Sequence, residues 1–158
     1  MKKILFSITI FIMFLSTQVF CADKDYYPSN YRQWQHVKSM VIQQGHPLFD
    51  AFGGIHHIYA NKKAMQGYRE KKTYPDGSII VFDLLDTKLE NNAILEGNRK
   101  VVGVMIKNSK KFKDTGGWGF FAFKGDTKEQ IVKDMKTSCF ECHAAQKDTD
   151  YVFSTYRK

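Results

Sequence analysis

The sequence predicts an α+β fold: a strand-rich middle with short helices flanking it, in a single domain. Three observations carry this. β-Branched and aromatic residues gather in separate runs, Ser78–Leu85, Arg99–Lys107 and Trp118–Phe123, the pattern of strands that pack on a half-buried surface. Helical spacing is confined to short stretches, such as Ala64, Met65 and Tyr68 on one face. The chain has 158 residues, 43% hydrophobic and 15% aromatic, with 13 Phe and 8 Tyr. That is enough for one packed core and not comfortably two.

The elements follow in order. Lys2 and Lys3 precede an apolar run, Ile4–Leu15, broken only by Ser7 and Thr9. This reads as a signal peptide over residues 1–21, cleaved just after Cys21 with Val19 at the −3 position. The run is short for a retained membrane anchor, and Val19 and Phe20 poorly fit the small residues that a lipidated Cys21 would need. Residues 22–158 are therefore expected outside the cytoplasm, in the periplasm of a Gram-negative cell. Asn30–Val37 is expected as a short helix capped by Ser29 or Asn30. Gly45-His46-Pro47 and Gly53-Gly54 punctuate the next stretch, and Ile55–Ala60 reads as a strand. Asn61 is placed to cap a helix to about Glu70. Tyr74-Pro75-Asp76-Gly77 is a turn: Pro fixes φ and Gly accepts a positive one. The three strand runs follow. Asp126 or Thr127 then suggests a cap for a helix to about Lys136, with Glu129 near the capping-box position.

Just beyond lies Cys139-Phe140-Glu141-Cys142-His143, a C-x-x-C-H motif. Two thiols at this spacing can add to the two vinyl groups on one haem edge, and the imidazole that follows then reaches the iron. The reading is one covalent haem c, held by Cys139 and Cys142, with His143 as proximal iron ligand. Two competing readings are weaker. A redox dithiol wants a thioredoxin-like βαβ context, and a zinc site wants more Cys or His close by. Candidates for the opposite side of the iron are His36, His46, His56, His57 and the methionines. In a strand, one of His56 and His57 must face inward and the other outward.

The formal charge is +8, or +6 without Lys2 and Lys3. The cations are scattered and read as a solvated surface, with steering toward an acidic redox partner or an anionic membrane as the alternative. Nothing in the chain resembles a nucleic-acid-binding module.

Taken together, several segments resemble the cytochrome P-460 family. They are Asn30-Tyr31-Arg32-Gln33-Trp34, His57-Ile58-Tyr59, Asp76-Gly77-Ser78-Ile79-Ile80-Val81, and Lys107-Asn108-Ser109-Lys110-Lys111-Phe112. An aromatic strand around Trp118, the C-x-x-C-H motif and Thr149-Asp150-Tyr151-Val152-Phe153 complete the series. The resemblance implies a predominantly antiparallel sheet with flanking helices, and a homodimer. Hydroxylamine-oxidising members carry a lysine that cross-links to the haem and an acidic residue two positions after the proximal histidine. Phe82 and Ala145 stand at those positions here. The pattern is closer to the cytochrome c′-β branch, which implies a distal pocket capped by phenylalanines: Phe82, and Phe52 or alternatively Phe49. A five-coordinate iron under such a cap is expected to bind NO and CO and to disfavour O₂, because phenyl rings donate no hydrogen bond. The function expected is NO sequestration, sensing or transport. Oxidation of hydroxylamine or NO, a peroxidase-like activity and simple electron transfer are the alternatives.

Overall fold

The structure is a computed structural model and describes residues 26–70 and 73–157. The expected signal peptide lies outside the described residues. Five strands, β1 (Gln35–Ile42), β2 (Gly54–Ala60), β3 (Ile79–Glu90), β4 (Ala93–Lys107) and β5 (Trp118–Lys124), form one sheet in the order of the chain. Every neighbouring pair is antiparallel. Two α-helical segments interrupt this meander, α1 (Phe49–Phe52) and α2 (Lys62–Glu70). The expected α+β class and antiparallel sheet are what the chain adopts.

Local chemistry explains most of the elements. Asn61 caps α2, its Oδ1 accepting from Ala64 N (2.9 Å) and also from Ile79 N (3.1 Å). One side chain thus starts the helix and fixes the start of β3. The turn before β3 has Gly77 at φ +85°, with Ser78 N donating to Pro75 O at 3.0 Å. β3 and β4 are longer than the apolar runs suggested. They continue to a two-residue hairpin in which Asn91 and Asn92 both have positive φ, 48° and 62°, the geometry that matches strand twist.

Two expectations are corrected. The segment Asn30–Val37 is helical only over Tyr31–Gln33, a single 3-10 turn, and β1 begins at Gln35. The helix expected over 127–136 is absent. There Thr127 Oγ1 donates back to Lys124 O, and Glu129 N in turn donates to Thr127 Oγ1. The chain then runs beside β5 with Lys124 N on Glu129 O (3.0 Å) and Ile131 N on Ala122 O (2.8 Å). β5 is a sheet edge, and this segment satisfies backbone groups that would otherwise lie open.

Register sorts the side chains between two faces. One face carries three cross-strand rows: Ala60–Ile80–Met105–Phe120, then Ile58–Phe82–Gly103–Ala122, then His56–Leu84–Val101. α2 covers the first row through Ala64, Met65 and Tyr68, in one buried cluster with Tyr74, Trp118 and Val152. The C-x-x-C-H segment packs against the same cluster through Cys139 and Phe140. The other face buries Val81, Val102, Val104, Phe121 and Phe123 under Tyr31 and Phe112.

Candidate haem site

The motif lies on one helical stretch whose winding changes along its length. It is wide, π-type, over Lys136–Phe140, α-helical over Glu141–His143 (α3), and 3-10 over Ala144–Thr149. Single π-type turns are rare and recur at functional sites. Both thiols are free. Cys139 is partly buried and Cys142 is exposed. Burial, and then the charge of Cys142, push the Cys139 thiol up.

His143 is held by its backbone surroundings. Its Nδ1 lies 2.7 Å from Tyr151 O. A carbonyl only accepts, so Nδ1 carries the proton and donates, and Nε2 keeps the lone pair. This is the arrangement that orients a histidine ligand and makes it a better base. Burial lowers the His143 pKa, opposed by the bond to Tyr151. The imidazole packs between Phe120 (centroids 4.8 Å) and Phe153 (4.9 Å).

The carbonyl of Tyr151 is itself fixed. Asp150 and Tyr151 both take left-handed backbone conformations, φ 52° and 67°. Lys107 Nζ binds both Asp150 carboxylate oxygens, at 2.7 and 2.9 Å. Tyr74 N donates to Asp150 Oδ2 (2.8 Å), and Trp118 Nε1 donates to Asp150 O (2.8 Å). Gly116, at φ +65°, lies flush against the Tyr151 ring; a Cβ there would stand 2.2 Å from that ring. Segments that looked separate in sequence therefore act as one brace. Lys107 and Asp150 pair directly, and Ser109 N and Oγ both donate to Asp76 (2.9 Å each).

Across the same sheet face, Phe82 stands in the second row. Phe52 meets it edge to face at 5.8 Å. Phe49 shares α1 with Phe52, but its ring folds back over Gly53. Phe52, Phe49 and Phe153 are 42%, 36% and 56% exposed, and of these Phe153 packs directly on His143. Ala145 is exposed on the helix after His143.

The remaining histidines divide. His36 and His57 lie on the opposite side of the sheet, where Ser39 Oγ sits 2.8 Å from His36 Nε2 and 2.6 Å from His57 Nδ1. His46 is in the loop before α1 and accepts from Leu48 N. His56 faces the site: it is 6% exposed and its ring lies 4.6 Å from that of Phe82. Met65 is buried on the sheet-facing side of α2, Met105 is in the first row, and Met40 pairs with His56 across β1 and β2 with its side chain 45% exposed. The brace around Tyr151 was not foreseen; of His56 and His57, one of which was expected to face inward, the structure makes it His56. The sequence trace of the brace is the set of segments around Asp76, Lys107, Trp118 and Thr149–Phe153, which the resemblance marked without a reason.

The donor set fits a haem. An imidazole with a fixed tautomer offers a lone pair, two free thiols sit three residues apart, and open aromatic rings await a flat apolar partner. Such a site on one face of an antiparallel sheet is that of a small haem protein. The family model for cytochrome P460 matches residues 28–154, and no curated protein sequence matches the chain. The chain belongs to the cytochrome P460 family, and with it to the haem-binding cytochromes.

Proposed function

We propose that the protein is an exported mono-haem c-type cytochrome that binds NO or CO at a five-coordinate site, in the manner of the cytochrome c′-β branch. Cys139 and Cys142 would hold the haem covalently, and His143 Nε2 would ligate its iron. Bound there, the haem supplies an iron able to take a diatomic ligand on its open side. The chain's own residues do the rest. Tyr151 O keeps His143 in the ligating tautomer. Phe82 and Phe52 present ring surfaces with no hydrogen-bond donor. A ligand that gathers negative charge gains nothing from them, which favours NO and CO over O₂.

The observation that carries this reading is Phe82 beside Phe52 on the face to which the C-x-x-C-H segment packs. A phenyl side chain cannot form the lysine cross-link of the hydroxylamine-oxidising members. Export to the periplasm rests on the sequence of residues 1–21, and a homodimer on the family resemblance.

Absorption spectra of the purified protein test the proposal, taken in ferric and ferrous forms with and without NO and CO. The expected result is a high-spin ferrous spectrum of ordinary c-type colour that both gases shift. A strongly red-shifted ferrous Soret band would instead reveal a cross-link and an oxidase. A low-spin spectrum indifferent to both gases would reveal a sixth protein ligand and an electron carrier.

A further inference from the structure

His56 is the odd group on the site face. It is 94% buried, by its exposure of 6%, and its Nδ1 has no hydrogen-bond partner. A buried polar nitrogen without a partner is costly and uncommon in folded proteins. Burial, then the charges of His57 and Lys38, lower its pKa to about 4, so the ring is neutral at pH 7 and carries one N–H and one lone pair.

Its place in the register matters as much as its burial. His143 packs on Phe120 in the first row, Phe82 occupies the second, and His56 the third. Phe82 thus lies between the row that supports His143 and the row that holds His56. The two rings are in contact at 4.6 Å, inclined by 36°, and Phe52 closes on Phe82 at 5.8 Å. β2 is an interior strand, paired on both sides, so His56 is held on a rigid support.

We propose that His56 is a concealed distal residue: its unpartnered Nδ1 is the pocket's reserve hydrogen-bonding group for an anionic or charge-gathering ligand, and Phe82 is the screen that withholds it. The inference rests on the haem reading above. It makes ligand choice a property of the Phe82–His56 pair. The apolar cap is a layer one residue thick over a polar group.

The test uses holoprotein and azide, an anion that accepts hydrogen bonds. Ferric wild type, Phe82→Ala and the double variant Phe82→Ala/His56→Leu are titrated side by side. Both variants have the same opened space, so their difference reports the imidazole alone. Phe82→Ala is expected to bind azide about ten- to a hundredfold more tightly than the double variant, the range of a hydrogen bond to a charged group. Equal affinities would overturn the proposal. Phe82→Val replaces Phe82→Ala in both members if the smaller residue prevents folding. A pyridine haemochrome assay on each preparation separates the two readings: without covalent haem the proposed function itself falls, whereas haem with equal affinities removes only the role of His56. Unfolding in urea adds a readout that needs no ligand. His56→Leu alone should raise the midpoint, since it removes an unsatisfied buried nitrogen, and a lowered midpoint would show that Nδ1 has a partner after all.

Discussion

His56 and His57 are neighbours in the chain and opposites in the fold. The period of two in a strand sends them to different faces. On one face His56 is buried against Phe82 without a partner for Nδ1. On the other, His57 is held by Ser39 Oγ at 2.6 Å and lies 2.8 Å from Glu96 Oε1. Arg32 anchors Glu96 and also reaches Asp83, which is fully buried and bound by Arg99 Nε at 2.7 Å. Arg99 also pairs with Asp126. The outer face pairs its charged groups with one another, although the Tyr31 hydroxyl is buried there without a hydrogen-bond partner. What sets the site face apart is an unpartnered neutral imidazole nitrogen on the same face as open aromatic rings. The same residue type one position apart shows that identity does not decide function; the face does.

Three measurements break or sharpen this contrast. The largest effect is expected from Asp83→Ala, which removes the buried carboxylate that Arg32 and Arg99 share and leaves them only the exposed partners Glu96 and Asp126. Removing one partner of a buried ion pair costs about 3–5 kcal/mol, so the urea midpoint should fall steeply while the haem spectrum of the folded fraction stays unchanged. A changed spectrum would show that the faces are coupled. Next comes pH. The unfolded chain protonates His56 near the ordinary histidine pKa of about 6.5, while the folded chain does so only at about 4. Between those values the unfolded state binds more protons, so stability falls as pH falls through that window and is fully retained above it. The loss reaches about 3 kcal/mol at most. Urea midpoints at pH 7, 5.5 and 4 should show it in wild type and show that much less in His56→Leu; parallel curves would contradict it. The smallest effect is expected from His57→Ala. Its contacts lie at a partly exposed site, and the loss should stay under about 1 kcal/mol, with no change in the NO or CO spectra.

The strands were legible because they are interior or double-faced. Ile79, Ile80 and Val81 in β3, and Val101, Val102 and Val104 in β4, bury side chains on both faces, so the apolar run is long and unambiguous. β1 was not legible. It is an edge strand in which only Val37 and Ile42 are buried, and Lys38 and Ser39 interrupt its pattern. The extension of β3 and β4 into an exposed arm was missed for the same reason, although Asn91-Asn92 was its turn signal. The helix expected over 127–136 failed because local capping chemistry at Thr127 was outweighed by the open edge of β5. In the site, the C-x-x-C-H motif was plain because side chains carry it. The group that orients His143 is a main-chain carbonyl, which no residue letter announces. His56 and His57 were expected to diverge, but only the packing shows which of them is buried against Phe82.

The meander joins each strand to the next, so residues 35–124 can assemble through nearest-neighbour pairings without crossovers. The site is different. Asp150 reaches back to Tyr74 and Lys107, and Ser154 to Tyr68 (2.7 Å). These closures span as many as 86 positions and depend on the segment from Asp150 to Ser154. A ribosome would finish the sheet well before it released the residues that steady His143. The haem site is thus completed only after the sheet that supports it, and a nick between His143 and Asp150 would loosen it while leaving the sheet's own pairings intact.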